Sequence, residues 1–466
     1  MYIHATALYT PLLELNVTLM FCSIFDVDIP DDLQMDVSNI VEQRKRRKLT
    51  AMEDDDRIIS SSEVQIDYHI ANIHQWLNGY SKDDDNQILP IVDLRSYEDF
   101  DKQHIDIANS SINREVIPTI VNLPLSTLLS ERSCELPPRH VEFAILIPRQ
   151  YTQQFLERSD DCDIHQLFFA SMSESTLQSR KPWLVRQILI DSDTLWKDAS
   201  ALGLVKSYSD RESTTSFQRL PRLWKPDPIT TNILPILKEW TRNEDQNRIG
   251  LVLDLGSGAG RDVCYLAEEL KEYQSTQKST KNSIHVVGID NHKGSAKRCI
   301  PLWKNRKVED ITNSVLLDLN KLHQVRSALM DTSKLLSHHM QQQSEIICLY
   351  AIRFLNRKLL SYIANSTINS TETDSIQSKP TSKKAIHSPP QPLILPIGTI
   401  FAMSHFCKPK DGAAWNFDHP KESSVLEKSE LKNLFETKGW QVLRDDIIFD
   451  GDHGRTLVQF IAKKVA

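Results

Sequence analysis

The chain has 466 residues, of which 40% are hydrophobic, and its formal net charge is −7. This length predicts two or three domains with buried cores, and the acidic balance excludes a general field for nucleic-acid binding. The seven cysteines include no Cys-x-x-Cys pair, so structural zinc is not expected. Their scattered, odd-numbered set predicts a reducing compartment, and we expect an intracellular, cytoplasmic location.

The N-terminal residues 1–62 are predicted to form a flexible arm. Its apolar stretch is interrupted by Pro11 and Glu14, so we expect no signal peptide and no membrane association. A basic run from Arg44 to Lys48 indicates either a nuclear-import patch or a solvated linker. The acidic run at 53–56 favours the linker.

Residues 63–210 predict a small α/β domain with buried strands at 88–94 and 141–147. Four short motifs accompany these strands: Asp93-x-Arg95, Glu98-x-x-Phe100, His104-Ile105 and Asn122-x-Pro124. Their order resembles that of rhodanese-like domains. The resemblance implies a cysteine directly after the strand that ends at Ile147, but residues 148–151 are Pro-Arg-Gln-Tyr.

The two cysteines of this domain are poor candidates for the missing nucleophile. Cys134 precedes the second strand, and Cys162 lies among aspartates that disfavour a thiolate. We therefore expect a catalytically silent domain that serves docking of a protein partner or regulation. Sulfur transfer is kept as an alternative.

A linker is predicted at 211–228, with Trp224 as a packing anchor, and a helix is predicted at 232–240. A third segment follows, in which residues 251–262 read Leu-Val-Leu-Asp-Leu-Gly-Ser-Gly-Ala-Gly-Arg-Asp. The apolar start predicts a buried strand, and the alternate glycines predict a turn that lets a ligand approach the backbone. Helical spacing begins at Val263.

The glycines do not fit the dinucleotide fingerprint, because Arg261 and Val263 occupy the sixth position in the two possible frames. A phosphate-binding loop is also excluded, since no Gly-Lys-Ser/Thr follows. The stretch resembles motif I of class I S-adenosylmethionine-dependent methyltransferases, Asp/Glu-x-Gly-x-Gly-x-Gly. The resemblance implies S-adenosylmethionine as cofactor, bound by Asp254, Gly256, Ser257, Gly258 and Gly260.

Further site residues follow from the same resemblance. Asp290, with Asn291 beside it, ends the second strand and would accept the ribose hydroxyls, although a helix N-cap is an alternative. Asp318 and Leu319 end a third strand, predicted at 314–319, and would contact the adenine. Tyr350 ends the fourth strand, near the methyl group.

The remainder predicts the end of a Rossmann-like, seven-stranded methyltransferase domain over 229–466. A disordered insertion is expected at 361–392, and strand five at 398–406. A helix capped by Ser429 follows, then a hairpin with strands at 440–449 and 456–463. His405 and His419 could be general bases, but lone histidines are more often structural.

The whole arrangement resembles a rhodanese-like domain fused to a methyltransferase of the tellurite-resistance type. It implies a methyltransferase whose acceptor stays open between a small molecule, a protein and an RNA. Methyl transfer mainly requires alignment, so no catalytic residue is assigned, and no metal is expected. A non-enzymatic binding module is the alternative.

Overall fold

The computed structural model describes the following parts of the chain: 68–79, 88–107, 119–131, 134–139, 141–159, 161–169, 183–206, 221–242, 248–277, 282–336, 344–368, 391–409, 414–417, 419–450 and 455–466. The predicted arm at 1–62, with its basic run from Arg44 to Lys48, lies outside these residues. None of the helices in the described ranges combines the length and apolar character needed to span a bilayer.

The first of two main sheets is parallel and has five strands. Its strands are β1 (His69–Ile70), β2 (Ile91–Asp93), β4 (Ile120–Asn122), β5 (Phe143–Ile147) and β6 (Val185–Ile190), and a separate antiparallel pair is formed by β3 (His104–Ile105) and β7 (Val205–Lys206). The spatial order is β1-β6-β5-β2-β4. The helices are α1 (Ile73–Leu77), α2 (Tyr97–Lys102), α3 (Leu125–Glu131), α4 (Thr152–Leu156) and α5 (Asp193–Ala201).

The second main sheet has seven strands: β8 (Ile249–Leu255), β9 (Ser283–Asp290), β10 (Thr312–Leu316), β11 (Ser344–Ile352), β12 (Ile400–Phe406), β13 (Trp440–Asp450) and β14 (Arg455–Lys464). Its order is β10-β9-β8-β11-β12-β14-β13, and β14 runs in the opposite direction to the other six strands. This mixed, mainly parallel sheet fits the Rossmann-like methyltransferase fold that the motifs imply.

Helices cover both faces of the second sheet. They are α6 (Pro228–Thr241), α7 (Arg261–Thr276), α8 (Lys293–Asn305), α9 (Leu322–Met330), α10 (Arg357–Ala364) and α11 (Glu430–Glu436). Alternate residues of β8 point to opposite faces, so Val252 packs with α6, α7 and α8, whereas Leu251 and Leu253 pack with α9, α10 and α11. The site described below therefore lies on a scaffold with two buried layers.

Three predicted boundaries or caps are wrong. The third strand ends at Leu316, so Asp318 and Leu319 lie in the following loop. The start of the predicted insertion at 361 falls inside α10, whose last turn buries Ile363 and Ala364. Ser429 precedes α11 but makes no side-chain cap, because its backbone is left-handed with φ 59°.

Candidate cofactor site

The glycine turn after β8 has the backbone that its sequence predicts. Gly256, Gly258 and Gly260 have φ of 85°, 53° and 71°, a region that side chains disfavour. The amides of Gly256 and Ser257 donate to the carbonyl of Ile289 on β9, at 2.8 and 3.0 Å. The turn is therefore fixed to the ends of two neighbouring parallel strands.

The three glycines have different surroundings. A Cβ on Gly256 would lie 2.7 Å from the Phe354 ring, and one on Gly260 would lie 2.8 Å from Cys299 Sγ. A Cβ on Gly258 would meet no heavy atom within 4 Å. Packing explains the outer two glycines, whereas Gly258 borders open space into which a ligand can approach.

Two of the predicted carboxylates lie beside this turn. Asp254, on β8, is buried, and its Oδ1 accepts no hydrogen bond of standard geometry within the described part of the chain, although the nearby Tyr350 hydroxyl interacts with the carboxyl and lowers its pKa. Asp290, at the end of β9, accepts from the Gly258 amide at 2.9 Å and from the His292 amide at 2.7 Å. The N-cap position of α8 is His292, so the capping alternative for Asp290 does not hold.

Two further carboxylates, which the sequence did not predict as site residues, join the site. Asp262, in the first turn of α7, accepts from the Asp227 amide at 2.8 Å. The Asp227 side chain caps α6 through the Ile229 amide and accepts from Ser404 Oγ at 3.0 Å. The Gln459 side-chain amide donates from Nε2 to Ser404 Oγ at 2.8 Å. The only local signal was the position of each aspartate at a helix start.

The acids disfavour one another's ionisation. Burial raises the pKa of Asp254 well above its usual value, and the charges of Asp262, Asp290 and Asp227 add to the shift. Burial also raises the pKa of Asp262 to about 6, against a hydrogen bond from the Asp227 amide that lowers it. A positively charged ligand would offset this repulsion.

The other predicted site residues differ in their burial and in their hydrogen-bond partners. Asn291 is exposed beside Asp290. Asp318 accepts from the Asn320 amide, an interaction that lowers its pKa, while Leu319 is buried in the core. Tyr350 is completely buried opposite Asp254, and burial followed by the charge of Asp254 raises its pKa. Ser257 Oγ is buried without a partner in the described ranges.

Near the ends of β11 and β12 lie one residue with a strained backbone and one with a fixed side chain. Arg353 is exposed, has φ 53°, and places its guanidinium 5.6 Å from the Phe406 ring centroid. His405 is buried, which lowers its pKa, and its Nε2 lies 2.9 Å from the Ser424 carbonyl. The latter contact favours the structural interpretation of His405. The His419 carbonyl accepts from Arg455.

The first sheet offers no exposed thiol at the expected place. After β5, a 3₁₀ turn (Arg149–Tyr151) begins at once, and Arg149 pairs with Asp193 at 2.6 Å. Cys162 is fully buried, and burial raises the pKa of Cys134. Both residues are buried, whereas a reactive cysteine is accessible.

No protein-family model matches the chain, and no curated protein sequence matches it. Similar solved structures include the [4+2]-cyclase SpnF, with 11% identity over 50% of this chain and 80% of that chain and a TM-score of 0.30. TehB from Haemophilus influenzae is 14% identical over 46% of this chain and 57% of that chain, with a TM-score of 0.26.

A third similar structure is 1,6-didemethyltoxoflavin-N1-methyltransferase from Burkholderia thailandensis, solved with S-adenosylhomocysteine bound. It is 14% identical over 52% of this chain and 78% of that chain, with a TM-score of 0.28. Each of these similarities covers about half of this chain.

Proposed function

We propose that the chain is an S-adenosylmethionine-dependent methyltransferase whose cofactor binds at the glycine turn. The observation that carries the proposal is the open space at Gly258, next to a buried Asp254 carboxyl whose Oδ1 accepts no hydrogen bond of standard geometry from the residues that the structure describes. A buried acceptor without a partner is costly, and a ligand amino group would satisfy it. The cofactor carries such a group and a net positive charge, which suits the surrounding carboxylates.

The cofactor, when bound, supplies a methyl group activated on a sulfonium sulfur. The chain has to hold the donor and exclude alternative orientations. Asp290 holds the glycine turn through the Gly258 amide, and its remaining lone pairs are available to ribose hydroxyls. Leu319 and Asp318 stay predictions for the adenine, and Tyr350 stays one for the methyl end.

The acceptor stays open between a small molecule, a protein and an RNA. Radiolabelled methyl transfer from S-adenosylmethionine to fractionated lysate distinguishes these classes. It also separates an enzyme from a non-enzymatic cofactor-binding module, which would bind the cofactor in calorimetry but label nothing.

For the first sheet we propose a rhodanese-like domain without sulfurtransferase activity. Its parallel strands, taken in chain order, are arranged 1-5-4-2-3. The motif residues support one another: Arg95 binds the Asp93 carboxylate at 2.7 Å, and Asn122 donates to the Arg95 carbonyl at 2.9 Å. A thiosulfate:cyanide assay on wild type, Cys134→Ser and Cys162→Ser tests for sulfur transfer, and we expect no turnover in any of them.

Asp290→Ala is expected to weaken S-adenosylmethionine binding by about 1–3 kcal/mol, the cost of losing a hydrogen bond to a charged group. The structure adds a second reason, because the substitution also frees the Gly258 amide. Asp290→Asn, which keeps one acceptor oxygen, should lose less. Titration calorimetry measures both, and equal affinities for Asp290→Ala and wild type would contradict the role.

The affinity for S-adenosylmethionine is expected to fall about tenfold between pH 7 and pH 5, as one carboxyl with a pKa near 6 becomes protonated. Asp262, whose pKa burial raises to about 6, is that group. Asp262→Asn should flatten the dependence in calorimetry at pH 5, 6 and 7. An affinity of the wild type that rises on acidification would contradict the charge argument.

The stability of the ligand-free protein should depend on pH in the opposite sense. The folded-state pKa of Asp262 exceeds its usual value of 3.8, so this group favours the folded state below pH 4. That contribution is lost as the pH rises through about 6, and bound cofactor restores stability above it. Thermal unfolding with and without S-adenosylmethionine checks the sign.

A further inference from the structure

A short segment that follows α3 in the first half of the chain reaches the cofactor turn of the second sheet. It consists of Cys134, Glu135 and Leu136, all buried, and is called the bridging segment below. Arg261, the residue directly after Gly260, donates from Nε to the Cys134 carbonyl at 2.6 Å and from Nη2 to the Leu136 carbonyl at 2.8 Å. The first turn of α7 is thus held by residues from 125 positions or more earlier in the chain.

The bridging segment also holds α8. Glu135 accepts from Arg306 Nε at 3.2 Å and from Asn305 Nδ2 at 3.4 Å, at the end of that helix. Its neighbour Cys134 lies in the same apolar cluster as Cys299, Trp303 and Trp224. One segment therefore contacts both helices that flank the glycine turn.

The helices α7 and α8 both contact the glycine turn or continue from it. Trp303 Nε1, on α8, donates to the Gly260 carbonyl at 3.1 Å, and Cys299 Sγ lies 3.5 Å from the Gly258 carbonyl. The helix α7 begins at Arg261 and continues the turn directly. A shift of either helix would move the peptide groups around Gly258, where the open space lies.

We propose that the bridging segment is a working part of the cofactor site, and that Arg261 is the positioning residue through which it acts. This inference rests on the proposed binding of S-adenosylmethionine at the glycine turn. The inference gives the first half of the chain a role in the cofactor site, because its bridging segment keeps the glycine turn in the conformation that accepts S-adenosylmethionine. Cofactor affinity and the order of the bridging segment are then coupled in both directions.

The test compares full-length wild type, Arg261→Met and Arg261→Lys by titration calorimetry with S-adenosylmethionine. Met keeps the apolar stem but makes neither hydrogen bond, so we expect affinity to fall about tenfold, within the usual range of coupling between sites. Lys can contact one carbonyl and should lie between. The matched control is Arg248→Met, which removes an ion pair with Glu345 at the opposite end of β8 and should leave the affinity unchanged.

A second readout separates positioning from mere support of the fold. Amide hydrogen exchange at Cys134, Glu135 and Leu136 should slow when wild type binds S-adenosylmethionine and should not slow in Arg261→Met. If Arg261→Met does not fold, Glu135→Gln, which weakens the hold on α8, decides the question with the same two measurements.

The outcomes are distinct. An unchanged affinity in Arg261→Met and in Glu135→Gln, with binding intact in wild type, overturns the inference and leaves the proposed function standing. If wild type itself does not bind S-adenosylmethionine, the proposed function fails and the inference fails with it. Weaker binding in Arg261→Met and Arg261→Lys, with the affinity of the Arg248→Met control unchanged, supports the coupling.

Discussion

Gly258→Val is expected to reduce the affinity for S-adenosylmethionine at least a hundredfold, about 3 kcal/mol, while the protein remains folded. The space above Gly258 is open, since a Cβ there meets no heavy atom within 4 Å, and we therefore expect the core not to move. That space is where the proposed cofactor approaches the backbone, and a branched side chain would occupy it. Titration calorimetry gives the affinity, and thermal unfolding gives the stability.

The chain offers a matched control in Gly203. Its φ is +66°, and a Cβ there would also meet nothing within 4 Å, but it lies in the turn after α5, in the first half of the chain. Gly203→Val therefore carries a similar backbone strain, of about 1–3 kcal/mol. We expect the two variants to lose similar stability and only Gly258→Val to lose binding. Equal affinities in both would place the cofactor elsewhere.

The glycine turn was predictable from the sequence because its determinants are contiguous. An apolar run, an acid and alternating glycines occupy ten successive positions, and each imposes a local requirement on burial or φ. The same holds for Asp290, which directly ends a buried strand. Short-range patterns of this kind placed the strands of the second sheet to within a few residues of where the structure has them.

The rest of the site depends on contacts between distant positions. Asp227 and Asp262 are 35 residues apart, and the Gln459 amide that completes their network is 232 residues from Asp227. No periodicity records such pairings, since each residue alone resembles an ordinary helix cap or strand residue. The insertion boundary failed for a related reason: polar residues near 361 sit on the exposed side of an amphipathic helix that continues to Ala364.

Arg306→Met is expected to destabilise the protein by about 3–5 kcal/mol, the usual cost of removing one partner from a buried ion pair. Arg306 is 2% exposed and is shared by Glu135 at 3.2 Å and Glu268 at 3.3 Å, with the Pro221 carbonyl as a further acceptor. Its loss removes the guanidinium that both buried carboxylates share, although Arg222 still contacts Glu268 at 3.3 Å. Chemical denaturation near neutral pH measures the loss.

The pH dependence of that loss distinguishes uncompensated charge from lost packing. Burial already raises the pKa of Glu268, and removing the neighbouring guanidinium should raise it further. A carboxyl whose folded-state pKa lies above its unfolded value stabilises the fold at low pH, and the contribution is lost as the pH rises. The deficit of Arg306→Met should therefore be smaller at pH 5 than at pH 8, and the double variant Arg306→Met/Glu268→Gln should recover part of it. A loss of stability that is equal at both pH values and unchanged by Glu268→Gln would mean that Arg306 stabilises the fold through packing alone.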